Sequence, residues 1–185
     1  MVFGKFLNLK GFFWLHRPQI SLMGGLSAIA GASVGGVFNF SLIFKVGILF
    51  YYIHALAHPL NDYFDRHLDK HARPNAPIPS DLISSKQAKY ISSVNVILAS
   101  VLILLIPLDF WVKVLAVVGL LIAILFSVPP FRATGHPFFS YTFVGSGFGV
   151  AFLGGWVASG GMETGIIPVY LTVSICLVNG CIKLI

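Results

Sequence analysis

The sequence predicts an all-α, polytopic transmembrane helical bundle of six spans, built as a single domain over residues 1–185. Three observations carry that prediction. The 185 residues are 57% hydrophobic and 10% charged, whereas soluble domains are about 45–50% apolar and about 25% charged. Six apolar runs each approach the roughly 20 residues that a helix needs to cross about 30 Å of hydrocarbon. Runs such as Val96–Ile106 (VILASVLILLI) are apolar on every side. A membrane β-barrel would require alternation instead, and in lipid a helix satisfies its own backbone.

The first run is Pro18–Phe38, preceded by the basic residues Lys5, Lys10 and Arg17. That flank resembles a signal peptide's, but the run is long and further spans follow, so it reads as a retained helix. The others are Leu42–Leu60, Ile91–Leu108, Phe110–Val128, Phe138–Ala158 and Ile166–Ile185. Two Gly-rich stretches, Gly31–Gly35 and Gly145–Gly149, have the wrong context for dinucleotide binding and suit close helix packing. Cys176 and Cys181 sit in an apolar run and suggest no disulfide framework.

Twelve Lys and Arg face six Asp and Glu. With a cytoplasmic N-terminus, ten of these twelve cations lie inside, and only Lys45 and Lys113 lie outside. This is the positive-inside pattern of an integral, multi-pass protein, and it gives no reason to invoke nucleic acid. The segment 62–89 then also lies on the cytoplasmic side. It holds four of the six acids and five of the twelve basic residues.

The acids form a pattern. With Asn61 at 0° on a helix, Asp65 falls at about 40°, Asp69 at about 80° and Asp62 at about 100°, while His54 and His58 fall at about 20° and about 60°. Three carboxylates on one face repel unless a cation lies between them. Hard oxygen ligands suit Mg²⁺, which readily adds phosphate oxygens. A solvated helix end pairing with Arg66, Lys70 and Arg73 is the plainer alternative. For His54 and His58, a polar lining or substrate contact fits better than zinc, since no cysteine is near. No Asp or Glu lies deep in a span, which argues against a small transporter.

The spelling Asn61-Asp62-x-x-Asp65-x-x-x-Asp69 resembles the first aspartate-rich motif of the UbiA superfamily of intramembrane prenyltransferases. The stretch Arg73-Pro-Asn-Ala-Pro-Ile-Pro-Ser80 resembles that family's R-P-x-R-P-I-P-S-G. His16-Arg17-Pro18 opens the first span as an R-P pair often does there, and Phe126-Ser127-Val-Pro-Pro-Phe-Arg132 is similar to the family's Y-S-x-P-P-x-R.

The resemblance implies transfer of an isoprenyl group from an allylic prenyl diphosphate to an aromatic or lipid acceptor, with Mg²⁺ as cofactor. Carried over residue by residue, Asn61, Asp62, Asp65 and Asp69 are the metal ligands, and the three aspartates are catalytic. Arg17, Arg66, Lys70, Arg73 and Arg132 bind diphosphate. His54, His58, Phe126 and Ser127 line the prenyl and acceptor pocket. The spelling leans slightly toward the branch with archaeal ether-lipid and chlorophyll-type enzymes.

The pattern departs from the family at four points. Ala76 stands for an Arg, Asp81 for a Gly and Phe126 for a Tyr. The family also resembles a nine-helix bundle with a second aspartate-rich motif, and this sequence stops at Asn179–Ile185, about where that motif begins. The expectation is therefore a chain that is weakly active or inactive alone. The alternative is a truncated, non-catalytic relative that binds prenyl diphosphate or a membrane partner.

Overall fold

The computed structural model describes residues 8–36, 39–132, 137–163 and 167–182. Its helices are α1 (Leu9–His16), α2 (Pro18–Val34), α3 (Phe40–Ala72), α4 (Ser85–Leu105), α5 (Phe110–Ser127), α6 (Pro137–Ala158) and α7 (Ile167–Ile182), with a 3₁₀ turn at Gly161–Glu163. No strand occurs among the described residues.

Helices α2 to α7 fall on the six expected apolar runs. Four of them, α3 to α6, are long and apolar enough to cross a membrane. At 17 and 16 residues, α2 and α7 are shorter. Lys5, Lys183, the run ends at Phe38, Ile166 and Ile185, and the last residues of the chain lie outside the described residues.

Two element boundaries differ from expectation. The second span does not end at Leu60: α3 continues for 33 residues, through Pro59, to Ala72. At 1.5 Å per residue it is about 50 Å long, so it carries the acidic residues well past a hydrocarbon layer of about 30 Å. The third begins at Ser85, six residues before the apolar run. Ser84 and Gln87 form a reciprocal capping box there, which satisfies two otherwise orphaned N–H groups.

The flank before Pro18 is itself a helix. Asn8 starts α1 by accepting from the Gly11 N–H at 3.1 Å. Arg17, at φ 44°, ends it in the left-handed region. Pro18 then opens α2, where its missing N–H costs nothing. Phe13 and Trp14 are exposed while Leu15 is fully buried, the amphipathic habit of a helix lying in the membrane interface.

α3 is the axis of the bundle and packs against α2, α4, α5 and α6. Val46, Leu49, Phe50, Ile53 and Leu56 on α3 meet Ala99 and Ile103 on α4, Val112 and Ala116 on α5, and Ala151 on α6. Ile97, Leu104, Leu105 and Leu121 point outward, as lipid-facing side chains do. Both Gly-rich stretches sit at close helix crossings. A Cβ on Gly31 would strike the Phe152 carbonyl, and one on Gly145 the Cys176 carbonyl. Such close approach is how helices associate where no hydrophobic drive exists between them. A second cluster, Leu15, Ile78, Ile83, Ala88 and Ile91, pins α1 and the segment after Arg73 onto α4. Together these contacts fix the surroundings of the acidic end of α3.

Candidate functional site

Four residues at the end of α3 carry side-chain oxygens into the bundle. Asp62, Asp65 and Asp69 are 2%, 9% and 6% exposed. Burial of three carboxylates is costly unless each finds a cation, and three arginines from separate parts of the chain supply them. Arg17, at the α1–α2 corner, donates through Nη2 to Asp62 Oδ1 at 2.5 Å. Arg73, just past α3, donates through Nη2 to the same oxygen at 3.1 Å. It also grips Asp69 with both ends of its fork, Nε to Oδ1 at 3.1 Å and Nη2 to Oδ2 at 2.6 Å. Arg132, beyond α5, donates to Asp65 Oδ1 through Nε at 2.9 Å and again through Nη2.

Two of these arginines are held in unusual backbone. Arg17 and Arg132 have φ of 44° and 27°, in a region that a side chain with a Cβ rarely adopts. Each such residue costs of order 1–3 kcal/mol and persists only where its surroundings impose it. Ser21 helps to impose it at Arg17, donating through Oγ to the His16 and Arg17 carbonyls at 3.0 and 3.2 Å. Asp81, where the family usually has Gly, also has a positive φ, of 58°. The family preference thus matches a position whose backbone suits glycine.

Burial pulls the Arg17 guanidinium below its ordinary value, against the opposing charge of Asp62. At Arg73 burial pulls the same way, but the hydrogen bond it donates to Asp69 and the charge of Asp62 outweigh it, and the guanidinium rises. Both remain cations near neutrality.

The paired groups surround one end of a cavity of about 740 Å³ between α2, α3, α5 and α6. Arg17, Asn61, Asp65, Asp69 and Arg73 line its polar end, and His58 and His54 follow about one and two turns deeper. The remaining wall is largely apolar: Ile20 and Met23 from α2, Ile122 and Phe126 from α5, Phe143 and Phe148 from α6.

Most expected site residues meet here, and several do not. Asn61, Asp65, Asp69, Arg17, Arg73, His54, His58 and Phe126 line the cavity. Arg132 reaches it through Asp65. Asp62 lies at the edge of the expected arc and turns away from the cavity into the Arg17–Arg73 pair. Arg66 and Lys70 each follow a cavity-lining acid by one residue, so they point about 100° away from it. Arg66 donates to the Tyr63 carbonyl at 2.7 Å and stacks over the Tyr63 ring, and Lys70 is exposed. Ser127 is turned by the same step from Phe126 into the packed interior, 1% exposed.

Three buried oxygens have no hydrogen-bond partner among the described residues: Asn61 Oδ1, Asp62 Oδ2 and Ser127 Oγ. Native proteins seldom leave such atoms unpaired. No group of three or more His, Cys, Asp or Glu side chains able to hold one ion forms among the described residues. The donor set nevertheless fits Mg²⁺, which keeps waters and typically takes one or two carboxylates alongside substrate phosphates. Asn61 with Asp65 and Asp69 offers that many oxygens, and the Asn61 orphan awaits a partner.

A second hydrogen-bonded chain was not anticipated. Tyr52 OH donates to Asn95 Oδ1 at 3.0 Å, and Asn95 Nδ2 meets His16 Nε2 at 2.9 Å. A polar Asn near the start of the apolar run Ile91–Leu108 is its visible sign in the sequence.

An apolar-walled cavity with a mouth of acids and arginines, inside a bundle of helices long and apolar enough to cross a membrane, defines a polytopic helical membrane protein with an amphipathic cavity. The chain belongs to the UbiA prenyltransferase family, which it matches over residues 21–182. It is 28% identical over 156 residues to the digeranylgeranylglyceryl phosphate synthase of Thermococcus kodakarensis, covering 83% of this chain and 54% of that one. The synthase of Pyrococcus furiosus is 30% identical over 98 residues, 52% of this chain and 35% of that one. Among solved structures, one describing digeranylgeranylglyceryl phosphate synthase in membranes superposes with a TM-score of 0.77 at 22% identity, over 94% of this chain and 60% of that one. A UbiA homolog from Archaeoglobus fulgidus bound to GPP and Mg²⁺ superposes with a TM-score of 0.76 at 16% identity, over 94% and 61%. These two share the fold. The chain spans from about a third to about a half of the length of the two synthases.

Proposed function

We propose that the chain binds an allylic prenyl diphosphate and transfers its prenyl group to a lipid acceptor, with Mg²⁺ at the cavity mouth. One observation carries this reading: carboxylate and guanidinium groups crowd the polar end of a cavity whose walls are otherwise apolar. That division matches a molecule with a polyanionic head and a hydrocarbon tail. The synthases that resemble this chain are named for a glyceryl phosphate carrying two geranylgeranyl groups, which favours a lipid alcohol over an aromatic acceptor.

Asn61, Asp65 and Asp69 are the residues that hold the metal in this reading. When bound, Mg²⁺ neutralises charge on the departing diphosphate. Arg17, Arg73 and Arg132 supply planar, two-pronged donors for phosphate oxygens. The apolar wall keeps water from an allylic cation. The excess of Lys and Arg in the loops at that end supports a mouth on the cytoplasmic side.

The test is purified chain in detergent with radiolabelled geranylgeranyl diphosphate, Mg²⁺ and geranylgeranylglyceryl phosphate. Labelled product that disappears with chelator supports the reading. Mg²⁺-dependent binding without product supports a non-catalytic relative. Absence of binding with or without Mg²⁺ refutes both.

A further inference from the structure

His54 stands apart from the groups used above. It lies seven residues before Asn61, so about 10 Å deeper along α3, within a span. An ionisable side chain at that depth is expensive and usually has a task.

Its ring is held by three helices. Nδ1 lies 2.9 Å from the Phe50 carbonyl. A carbonyl can only accept, so the hydrogen of the neutral ring sits on Nδ1 and the lone pair on Nε2. The ring stacks on Phe148 of α6, centroids 4.8 Å apart. On α2, Gly24 leaves the space the ring fills, since a Cβ there would collide with it. On the other side, a Cβ on Gly147 would lie 3.5 Å from Nε2, so glycine keeps the approach to that nitrogen open. No donor among the described residues bonds Nε2, and His54, Gly147 and Phe148 all line the cavity. The neighbouring His58 has no such bond to fix its ring among the described residues.

A lone pair of fixed direction, facing a cavity and lacking a partner, is what a proton acceptor requires. We infer that His54 Nε2 receives the proton of an alcohol acceptor during prenyl transfer. This rests on the reading under Proposed function. In the step, the bond between the prenyl C1 and the diphosphate oxygen breaks, and its electron pair leaves with the diphosphate. The acceptor's hydroxyl oxygen forms the new bond to C1, and its proton passes to Nε2. The imidazolium returns the proton to water at the cavity mouth before the next cycle.

The experiment compares the chain with His54→Gln and His54→Ala, using geranylgeranyl diphosphate, Mg²⁺ and geranylgeranylglyceryl phosphate. Prenyl diphosphate affinity should stay within about twofold in both variants, which also shows that they fold. Transfer should fall by about 100-fold or more, the lower range for a lost general base, and added imidazole should restore part of it in His54→Ala. Transfer by His54→Gln within about threefold of the parent overturns the proposal. If the parent binds both substrates without turnover, acceptor affinity decides. A loss of about fivefold or more in His54→Ala supports the contact, and equal affinity overturns it. A parent that binds no prenyl diphosphate brings down the underlying reading and this one together.

Discussion

Arg132 binds Asp65 across 67 residues of sequence, and both of its donors, Nε and Nη2, converge on the single oxygen Oδ1. This leaves Oδ2 of Asp65, a cavity-lining residue, outside the pair. One carboxylate can therefore join α3 to the segment after α5 and still offer an oxygen to a ligand.

Removing one side of that pair should show which role dominates. Arg132→Ala leaves a carboxylate that is 9% exposed without its cation. Breaking a buried pair from one side costs about 3–5 kcal/mol, and the partial exposure of Arg132 puts the expectation at the low end, about 3 kcal/mol. Asp65→Asn should cost less, because the charge it strands, on Arg132, is 31% exposed and keeps water to solvate it. The double variant should be more stable than the sum of the singles predicts. Thermal unfolding of the four proteins, read as a double-mutant cycle, checks this; additive losses would refute the pairing.

Asn61 makes the opposite prediction. Its Oδ1 is buried with no partner among the described residues, and an unsatisfied buried acceptor costs about 1–3 kcal/mol. Asn61→Leu should therefore leave the fold unharmed or stabilise it by about 1 kcal/mol. The same change should weaken Mg²⁺-dependent prenyl diphosphate binding at least tenfold. Loss of stability in metal-free buffer would show that Asn61 serves packing and not a ligand.

Asp62 and Asp69 separate in the same way. Asp62 turns into Arg17 and Arg73, whereas Asp69 lines the cavity. Asp62→Asn should lower the unfolding temperature more than Asp69→Asn does, since Asp62 is the more deeply buried carboxylate and the one that pairs with Arg17 as well as Arg73. Asp69→Asn should reduce the response of prenyl diphosphate affinity to Mg²⁺ more than Asp62→Asn does. A titration of Mg²⁺ against both variants reads this directly, and equal slopes would sink the distinction.

The sequence exposed the spans because lipid removes ambiguity: a run such as Phe110–Val128 can be little else. Helix geometry also put Asn61, Asp65 and Asp69 on a shared face, and that face lines the cavity. What it could not supply was rotation at the margins. Asp62 sat within the arc on paper, but only the position of the α1–α2 corner decides that its oxygens meet arginine. The pairings Arg17–Asp62 and Arg132–Asp65 link residues 45 and 67 apart, and nothing local encodes them. α1 escaped notice because eight mixed residues give little periodicity. The early start of α4 was readable in principle, since Ser84-x-x-Gln87 is a capping box, but it precedes the apolar run that drew attention.

The chain Tyr52–Asn95–His16 supports a last prediction. Asn95 is 7% exposed and joins α4 to both α3 and the end of α1. His16 Nδ1 lies 2.9 Å from the Phe12 carbonyl, so it carries the ring hydrogen. Nε2 must then accept from Asn95 Nδ2, and Tyr52 must donate to Oδ1. Every polar atom in this sequence of bonds has one consistent role. Asn95→Leu strands both the His16 nitrogen and the Tyr52 hydroxyl, at about 1–3 kcal/mol for each buried loss, tempered by the partial exposure of His16 and Tyr52. Tyr52→Phe removes only the terminal donor and should cost about 1 kcal/mol. Because His16 directly precedes Arg17, Asn95→Leu should also loosen the hold of Arg17 on Asp62, whereas Tyr52→Phe should not. The check is unfolding of each variant with and without Asp62→Asn. Non-additivity should appear with Asn95→Leu and be absent with Tyr52→Phe; if both variants are additive with Asp62→Asn, the corner and the acidic end of α3 are not coupled.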